Sequence, residues 1–459
     1  MKSQRWLRII PVALIMYTIS YVDRTNVSLA LDPRISTMMT DMLMNDRLKG
    51  QAAGIFFLGY VLLQIPGGYL AGRWSPKRLI SLFLVFWGVC AVGCGLVSSF
   101  REFAVMRFLL GAAESGVYPT MLVLLANWFP RTERARANAY WNLCQPLAVA
   151  GAAPISGWLL SVNWGSFDWL QNHWSGKPLA GWQAMLIIEG ALPFIWLPIW
   201  LYLIKDHPRD AKWISREERD FLETTLQREA GELEQSKGIS LWRAFLQPVV
   251  FVMLAICFLY NCASYGLNTF LTEGFKGGGH NFTGLQTGLL FAVPYAVTAI
   301  VMVLLSRHSD LTGERRGHAA FIYAVSGASL IASVLLKEHS FWLSYAFLCL
   351  AIPGPFAGLA PFFAIPTEIL PRATAGAVMG LVNALGNVGG YLGPKIVGEL
   401  KSQTNGITVP FVVLGGALLA AAALCFWLPK SRQDFMSPAR RSNECQPCLE
   451  NPGTRRSPR

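Results

Sequence analysis

The chain has 459 residues, of which 53% are hydrophobic and only 14% charged, against about 25% charged in ordinary soluble domains. Its net charge of +12 comes from 39 Lys and Arg set against 27 Asp and Glu. That balance excludes an ordinary soluble domain and makes the placement of the apolar residues the first question.

They fall in twelve blocks, each about as long as the roughly 20 residues a helix needs to cross the hydrocarbon of a bilayer. In chain order the blocks are Ile9–Leu31, Gln51–Ala71, Leu79–Phe100, Phe103–Pro130, Ala137–Phe167 and Pro178–Ile204, then Ala244–Thr272, Gly277–Ser306, Gly317–Leu336, His339–Thr367, Ala373–Pro394 and Ser402–Pro429. Nine carry no Asp, Glu, Lys or Arg; the first, fourth and sixth carry one or two. The first block is too long for a signal-peptide core and includes Asp23 and Arg24, so it reads as a span. With the first residues inside, 28 of the 39 basic residues fall in the inside segments and 8 in the outside ones. The positive-inside rule then places both termini in the cytoplasm of a multi-pass protein of the cell membrane. This asymmetry accounts for the net charge, so it implies a lipid bilayer and no nucleic-acid partner.

The long polar interior segment 205–243 divides the spans into two sets of six. It contains Ser215 and Glu218 at capping-box spacing, followed by Phe221, Leu222, Leu226 and Leu233 along one side. The pattern predicts an amphipathic helix on the cytoplasmic membrane surface. The expected organisation is an all-α membrane protein of two six-helix halves, 1–204 and 244–429, with a disordered cytoplasmic tail over 430–459. A short basic turn follows the second span of each half, "GGYLAGRWSPKR" at Gly67–Arg78 and "SRHSDLTGERR" at Ser306–Arg316. Repeated halves of this kind place a substrate path at their interface near the midplane.

Few ionisable groups lie deep in the spans: Asp23, Arg24, Arg107, Glu114 and Lys395, with Glu189 nearer an end. Intramembrane charge is costly and marks a pathway unless it merely fastens helices together. Arg107 and Glu114, two turns apart, share a helix face. Arginine offers a planar fork to a carboxylate. A carboxyl balanced between burial and a nearby guanidinium can load and release a proton. An anion that engages Arg24 or Arg107 would loosen that arginine's hold on Asp23 or Glu114, so anion and proton would favour each other's binding. Asn383, Asn387 and Tyr391 form a polar stripe on the eleventh span, facing a cavity or another helix; Lys395 continues it and snorkels toward the outer end. No nucleophile–His–acid set or Walker loop is present, so neither an enzyme nor an ATP-driven pump is indicated. Cys445 and Cys448 form a lone C-x-x-C, a weak metal signal. No cofactor or metal is expected beyond the proton as coupling ion.

The two basic turns resemble the loop signature of the major facilitator superfamily. The second copy retains Asp310, Gly313, Arg315 and Arg316; the first keeps Arg73 and Arg78 but has Gly72 where the family has Asp and Ser75 where it has Gly. "YVDRTN", "RFLLGAAESG", "NWFPRTERARANA", "SDLTGERR" and "GLVNALGNVGGYLGP", in that order, resemble the anion:cation symporter family, and within it the bacterial branch carrying tartrate, phthalate and hydroxyphenylacetate. The resemblance implies Asp23 and Glu114 as protonation sites and Arg24 at the anion site. It also implies substrate contacts from Tyr21, Tyr60, Gln145 and Asn383 or Asn387, with Arg73, Arg78, Asp310, Arg315 and Arg316 in the conformational loops. The function expected is proton-coupled symport of a small organic carboxylate by a monomer working through alternating access. The alternatives are a proton/drug antiporter exporting amphiphiles and a non-transporting organic-acid receptor.

Overall fold

The computed structural model describes residues 4–164, 179–235, 245–275, 281–369 and 372–429. The tail with Cys445 and Cys448 lies outside these residues. Ten helical segments are long and apolar enough to cross a membrane: α1 Gln4–Ala30, α3 Pro76–Leu96, α4 Phe100–Trp128, α5 Arg131–Ser161, α6 Gly181–Leu203, α7 Pro248–Phe275, α8 Gly284–Thr312, α9 Arg316–Leu335, α10 Phe341–Pro366 and α12 Thr408–Cys425. Two more complete the series predicted from the blocks, α2 at Asp46–Ala71 and α11 in two pieces, Arg372–Gly386 and Val388–Thr404. The eleventh helix thus runs beyond the predicted block, because Lys395, Glu399 and Lys401 end the charge-free stretch without ending the helix.

Polar side chains at the span edges start several helices. Asn45 accepts from the backbone N–H of Leu48 at the start of α2. Ser99 with Glu102 and Thr283 with Gln286 form capping boxes on α4 and α8. Proline interrupts two of the helices where it removes a backbone donor: α4 breaks at Ser115–Gly116, ahead of Pro119, and α5 at Leu143, ahead of Pro146. Pro154 and Pro294 lie inside unbroken helical stretches. α11 breaks at Asn387.

The first residues of α1 and the linker helix Arg216–Gln235 share one face of the bundle, the linker face; the opposite face is the far face. Ser215 caps the linker helix by accepting from the N–H of Glu218. The helix is docked on the first half rather than resting on a membrane surface alone. Leu222 is fully buried while Phe221 is exposed. Glu218 pairs with Arg5 at 3.5 Å and Glu229 with Arg134 at 3.3 Å. Ahead of the helix, Trp213 stacks on Trp128, with ring centroids 5.3 Å apart.

The halves meet most closely near the far face, where α5 packs on α8 and α2 on the second piece of α11. Gly157 and Gly284 make the first contact possible: a Cβ on either would overlap the other's carbonyl oxygen. Around this seam charges are paired across the halves. Lys49 meets Glu273 at 3.3 Å with both side chains buried, Lys401 meets Asp46 at 2.7 Å and, within its own half, Glu273 at 3.0 Å, and Arg47 meets Glu399 at 2.7 Å. Arg34, held by Asp32, reaches the carbonyl oxygen of Thr272 at 2.6 Å. At the linker face the pairs Arg5–Glu133, Arg315–Asp310 and Arg315–Glu368 stay within a half. The far face is therefore the closed side of this conformation.

Gly157→Leu is expected to part the seam. A cysteine placed at Ser28, in protein whose native cysteines have been replaced, should become several-fold more reactive toward a membrane-impermeant maleimide. Unchanged labelling would show that close glycine packing does not hold the far face shut.

Candidate functional site

Adjacent helical residues point about 100° apart, and this separates Asp23 from Arg24. Arg24 Nε lies 2.9 Å from Glu114 Oε2 on α4, and Ser20, one turn earlier on α1, donates its hydroxyl to the same oxygen at 2.7 Å. Arg24 Nη2 also donates to the Ser20 oxygen at 3.3 Å. Glu114 Oε1 is buried without a hydrogen-bond partner among the described residues. Asp23 turns the other way, and the indole N–H of Trp87 on α3 donates to its Oδ2 at 2.5 Å.

Arg107 and Glu114 do share a face, as the seven-residue spacing predicts, since both meet α1. They do not pair. Arg107 donates to the backbone carbonyl oxygen of Asp23 at 2.9 Å, lies over the Phe56 ring at 5.0 Å, and its Nε has no partner among the described residues. The guanidinium that serves Glu114 is Arg24. The sequence left open which arginine holds which acid, and the structure pairs Glu114 with Arg24: one turn of helix separates Ser20 from Arg24, which brings both to Glu114 and leaves Arg107 opposite the main chain of Asp23.

Aromatic rings enclose Arg24. Its Cζ lies 4.7 Å from the ring centre of Tyr60, 5.5 Å from those of Tyr17 and Phe56, and 5.9 Å from Tyr21. Such rings attract a cation through their negative faces, most strongly when water is excluded. Tyr265 of α7 contributes from the second half, its ring centre 4.1 Å from that of Phe57. Along α2, one turn beyond Tyr60, Gln64 faces Asn387 of α11 with Nδ2 to Oε1 at 3.5 Å, the limit of a hydrogen bond. One face of α2 thus joins the Arg24 box to the break in α11. Asn383 sits half-buried one turn before that break. Gln145 donates to Asn142 at 3.1 Å, one turn from Trp141, whose ring lies 4.7 Å from Tyr17. The site is a buried ion pair roofed by aromatics at the meeting of the two halves. An anion could take its guanidinium, and its carboxylate could take a proton.

Ser20, Tyr17, Phe56, Trp87, Gln64 and Tyr265 were missed by sequence reasoning. Ser20 could have been found, because it lies one turn from Arg24. The aromatic residues carry no signal that separates them from core packing.

The conformational loops differ in construction. In the second, Arg315 joins Asp310 at 2.5 Å and Glu368 at 3.0 Å, Arg316 donates to the carbonyl oxygens of Phe426 and Leu428, and Gly313 closes α8 with φ of +66°. In the first, Arg73 lies over the Tyr69 ring at 4.2 Å. The acid absent at Gly72 has a substitute from elsewhere: Asp206, after α6, accepts from the Ser75 hydroxyl and from the backbone N–H of Lys77. Ser75 meanwhile accepts from the Arg78 N–H as the cap of α3.

Breaking a buried pair by removing one partner costs about 3–5 kcal/mol. Arg24→Ala is therefore expected to lower the melting temperature of the purified protein sharply, and Arg24→Ala with Glu114→Gln to recover most of the loss. Losses that simply add would contradict an isolated, mutually dependent pair.

The profile of the Major Facilitator Superfamily matches residues 13–394. A protein of Agrobacterium vitis named, provisionally, as a tartrate transporter is 31% identical, the alignment covering 92% of this chain and 90% of that one. A quinolone resistance transporter of Acinetobacter baumannii is 30% identical over 91% of this chain and 92% of its own. Among solved structures, a bacterial homologue of the human lysosomal transporter Spinster, in an inward-facing and unoccupied conformation, superposes with a TM-score of 0.75 at 19% identity, covering 95% of this chain and 98% of that one. Twelve helices in two halves, the paired basic loops and a profile match over most of the chain agree: this protein is a membrane transporter of the Major Facilitator Superfamily.

Proposed function

We propose that the protein carries a small organic carboxylate into the cell together with protons, by alternating access. The observation that carries this reading is the Arg24–Glu114 pair, buried inside the first half with a fork suited to a carboxylate and one carboxyl oxygen left without a partner among the described residues. A substrate carboxylate that takes the Arg24 fork strips Glu114 of its counter-charge. Ionised Glu114 would then be isolated in a site of low dielectric, a cost of several kcal/mol. Protonation removes that cost, so substrate and proton bind together. The sign follows: affinity should rise as pH falls, because the proton is taken up on binding.

The linker face is assigned to the cytoplasm on the bias of basic residues, so the closed far face is the outer one and the conformation described opens inward. Similarity to a tartrate transporter supports the carboxylate class. Similarity to a quinolone resistance transporter favours a second reading, export of amphiphiles by proton exchange, in which the aromatic box would hold a ring system.

Counterflow and gradient-driven uptake in proteoliposomes separate these readings. With the outside made acid, mono-, di- and sugar carboxylates are to be compared with a fluoroquinolone. Accumulation of a carboxylate is expected. Asp23→Asn should bind that carboxylate with about the parent's affinity yet lose gradient-driven accumulation. Movement of the quinolone alone would establish the exporter, and carboxylate binding without accumulation would establish a receptor.

A further inference from the structure

Glu189 is a further buried acid of the first half, besides Asp23, Asp32 and Glu114, and the mechanism above does not use it. It lies on α6 about two turns from the far end and is 4% exposed. Its partners are neutral. Asn26 Nδ2 of α1 donates to Oε2 at 2.9 Å, and Ser156 Oγ of α5 stands 2.6 Å from Oε1. No ion pair involves Glu189 among the described residues. The charged groups nearest along the neighbouring elements are engaged elsewhere: Asp23 with Trp87, Arg24 with Glu114, and Arg107 with the Asp23 carbonyl. α3 brings Cys90 and Cys94, α5 brings Cys144, and Asp41 meets the outer end of α6 through Trp182.

Two placements of one serine proton fit these contacts, and burial without a counter-charge favours the one that leaves the acid neutral. Ser156 Oγ also lies 3.0 Å from the carbonyl oxygen of Ala152. A serine hydroxyl has one proton and cannot donate to both oxygens. If it donates to the Ala152 carbonyl, the short contact at 2.6 Å requires the proton to come from Glu189. Asn26 then donates to the remaining carboxyl oxygen, and every oxygen of the carboxyl is matched. A neutral acid also avoids the cost of burying a charge without a partner.

Both neighbours stand next to contacts between the halves. Ser156 precedes Gly157, which packs on Gly284. Two residues beyond Asn26, Ser28 donates to Asn268 Oδ1 of α7 at 2.7 Å. The far-face seam that closes the transporter therefore also seals Glu189 from the far side.

We propose that Glu189 is a proton-binding site gated by that seam: it holds a proton while the far face is closed and exchanges it with the outer solution when the seam parts. This inference rests on the alternating-access reading for its place in the cycle, while the acid itself can be observed without substrate. It adds an outer loading point, separate from Glu114, to the path by which protons enter.

The test is infrared difference spectroscopy on purified full-length protein in detergent, following the C=O stretch of neutral carboxylic acids between pH 5 and 9. A band present in the parent and lost in Glu189→Gln identifies the group. It should persist in the parent through the neutral range and give way to carboxylate as pH rises in Gly157→Leu, whose seam is parted. If Glu189→Gln folds poorly, Ser156→Ala makes the same assignment, because loss of the acceptor shifts the band to higher frequency. Absence of a neutral band from Glu189, or the same titration with the seam closed and parted, overturns the proposal. No substrate enters the experiment, so its failure is distinct from a failure of carboxylate uptake.

Discussion

A guanidinium and a carboxylate 2.9 Å apart inside the first half set the terms for the rest of the molecule. Neither charge could be kept there alone. Arg24 is sustained by Glu114, by the Ser20 oxygen and by the faces of Tyr60, Tyr17, Phe56 and Tyr21. Among the described residues Glu114 has only Arg24 and Ser20, both on one oxygen, and its other oxygen has no partner. The asymmetry matters. Arg24 can exchange one anion for another without leaving its cage, whereas Glu114, deprived of Arg24, has protonation as its inexpensive alternative. In the proposed function, that difference is what couples a proton to the carboxylate.

Access depends on how the halves are fastened. Small residues let α5 and α8 touch backbone to backbone, and the Lys49–Glu273–Lys401–Asp46 cluster holds charges across the same side. Pairs so enclosed gain little net stability, since desolvation offsets much of the attraction. Their effect is on geometry, because they are satisfied only when the far face is shut. Opening that face must hydrate Lys49 and Glu273, which lowers the cost of separating them. A latch of this kind can be firm without being irreversible. At the other face, Asp206 supplies to the first basic loop the acid that its own sequence lacks, and it does so from the start of the linker.

Much of this was legible in the sequence, for definite reasons. Hydrocarbon thickness forces long apolar blocks, so the twelve spans and the linker could be placed before any coordinates. Buried charge is rare enough in such blocks that Asp23, Arg24, Arg107 and Glu114 identified themselves. Their pairing was not legible. Spacing along one helix shows which residues share a face, and Arg107 and Glu114 do share one, but the partner comes from another helix whose rotation the sequence leaves open. Lys49 and Glu273 were missed for a related reason: they fall at the edges of blocks, where charge is ordinary, and only contact between the halves buries them. The break at Asn387 has no proline to announce it. Asp206 replaces a residue more than a hundred positions away, a substitution visible only in three dimensions.

The central claim is that an anion taking Arg24 and a proton taken up by Glu114 bind together. Proton uptake on substrate binding tests it most directly, measured with a pH indicator in weakly buffered solution as the transported carboxylate is added to purified protein near neutral pH. The account predicts uptake of about one proton per bound carboxylate at Glu114, consistent with reciprocal linkage, and loss of that uptake in Glu114→Gln with binding retained. Carboxylate binding with no proton uptake, or uptake undiminished in Glu114→Gln, would contradict it.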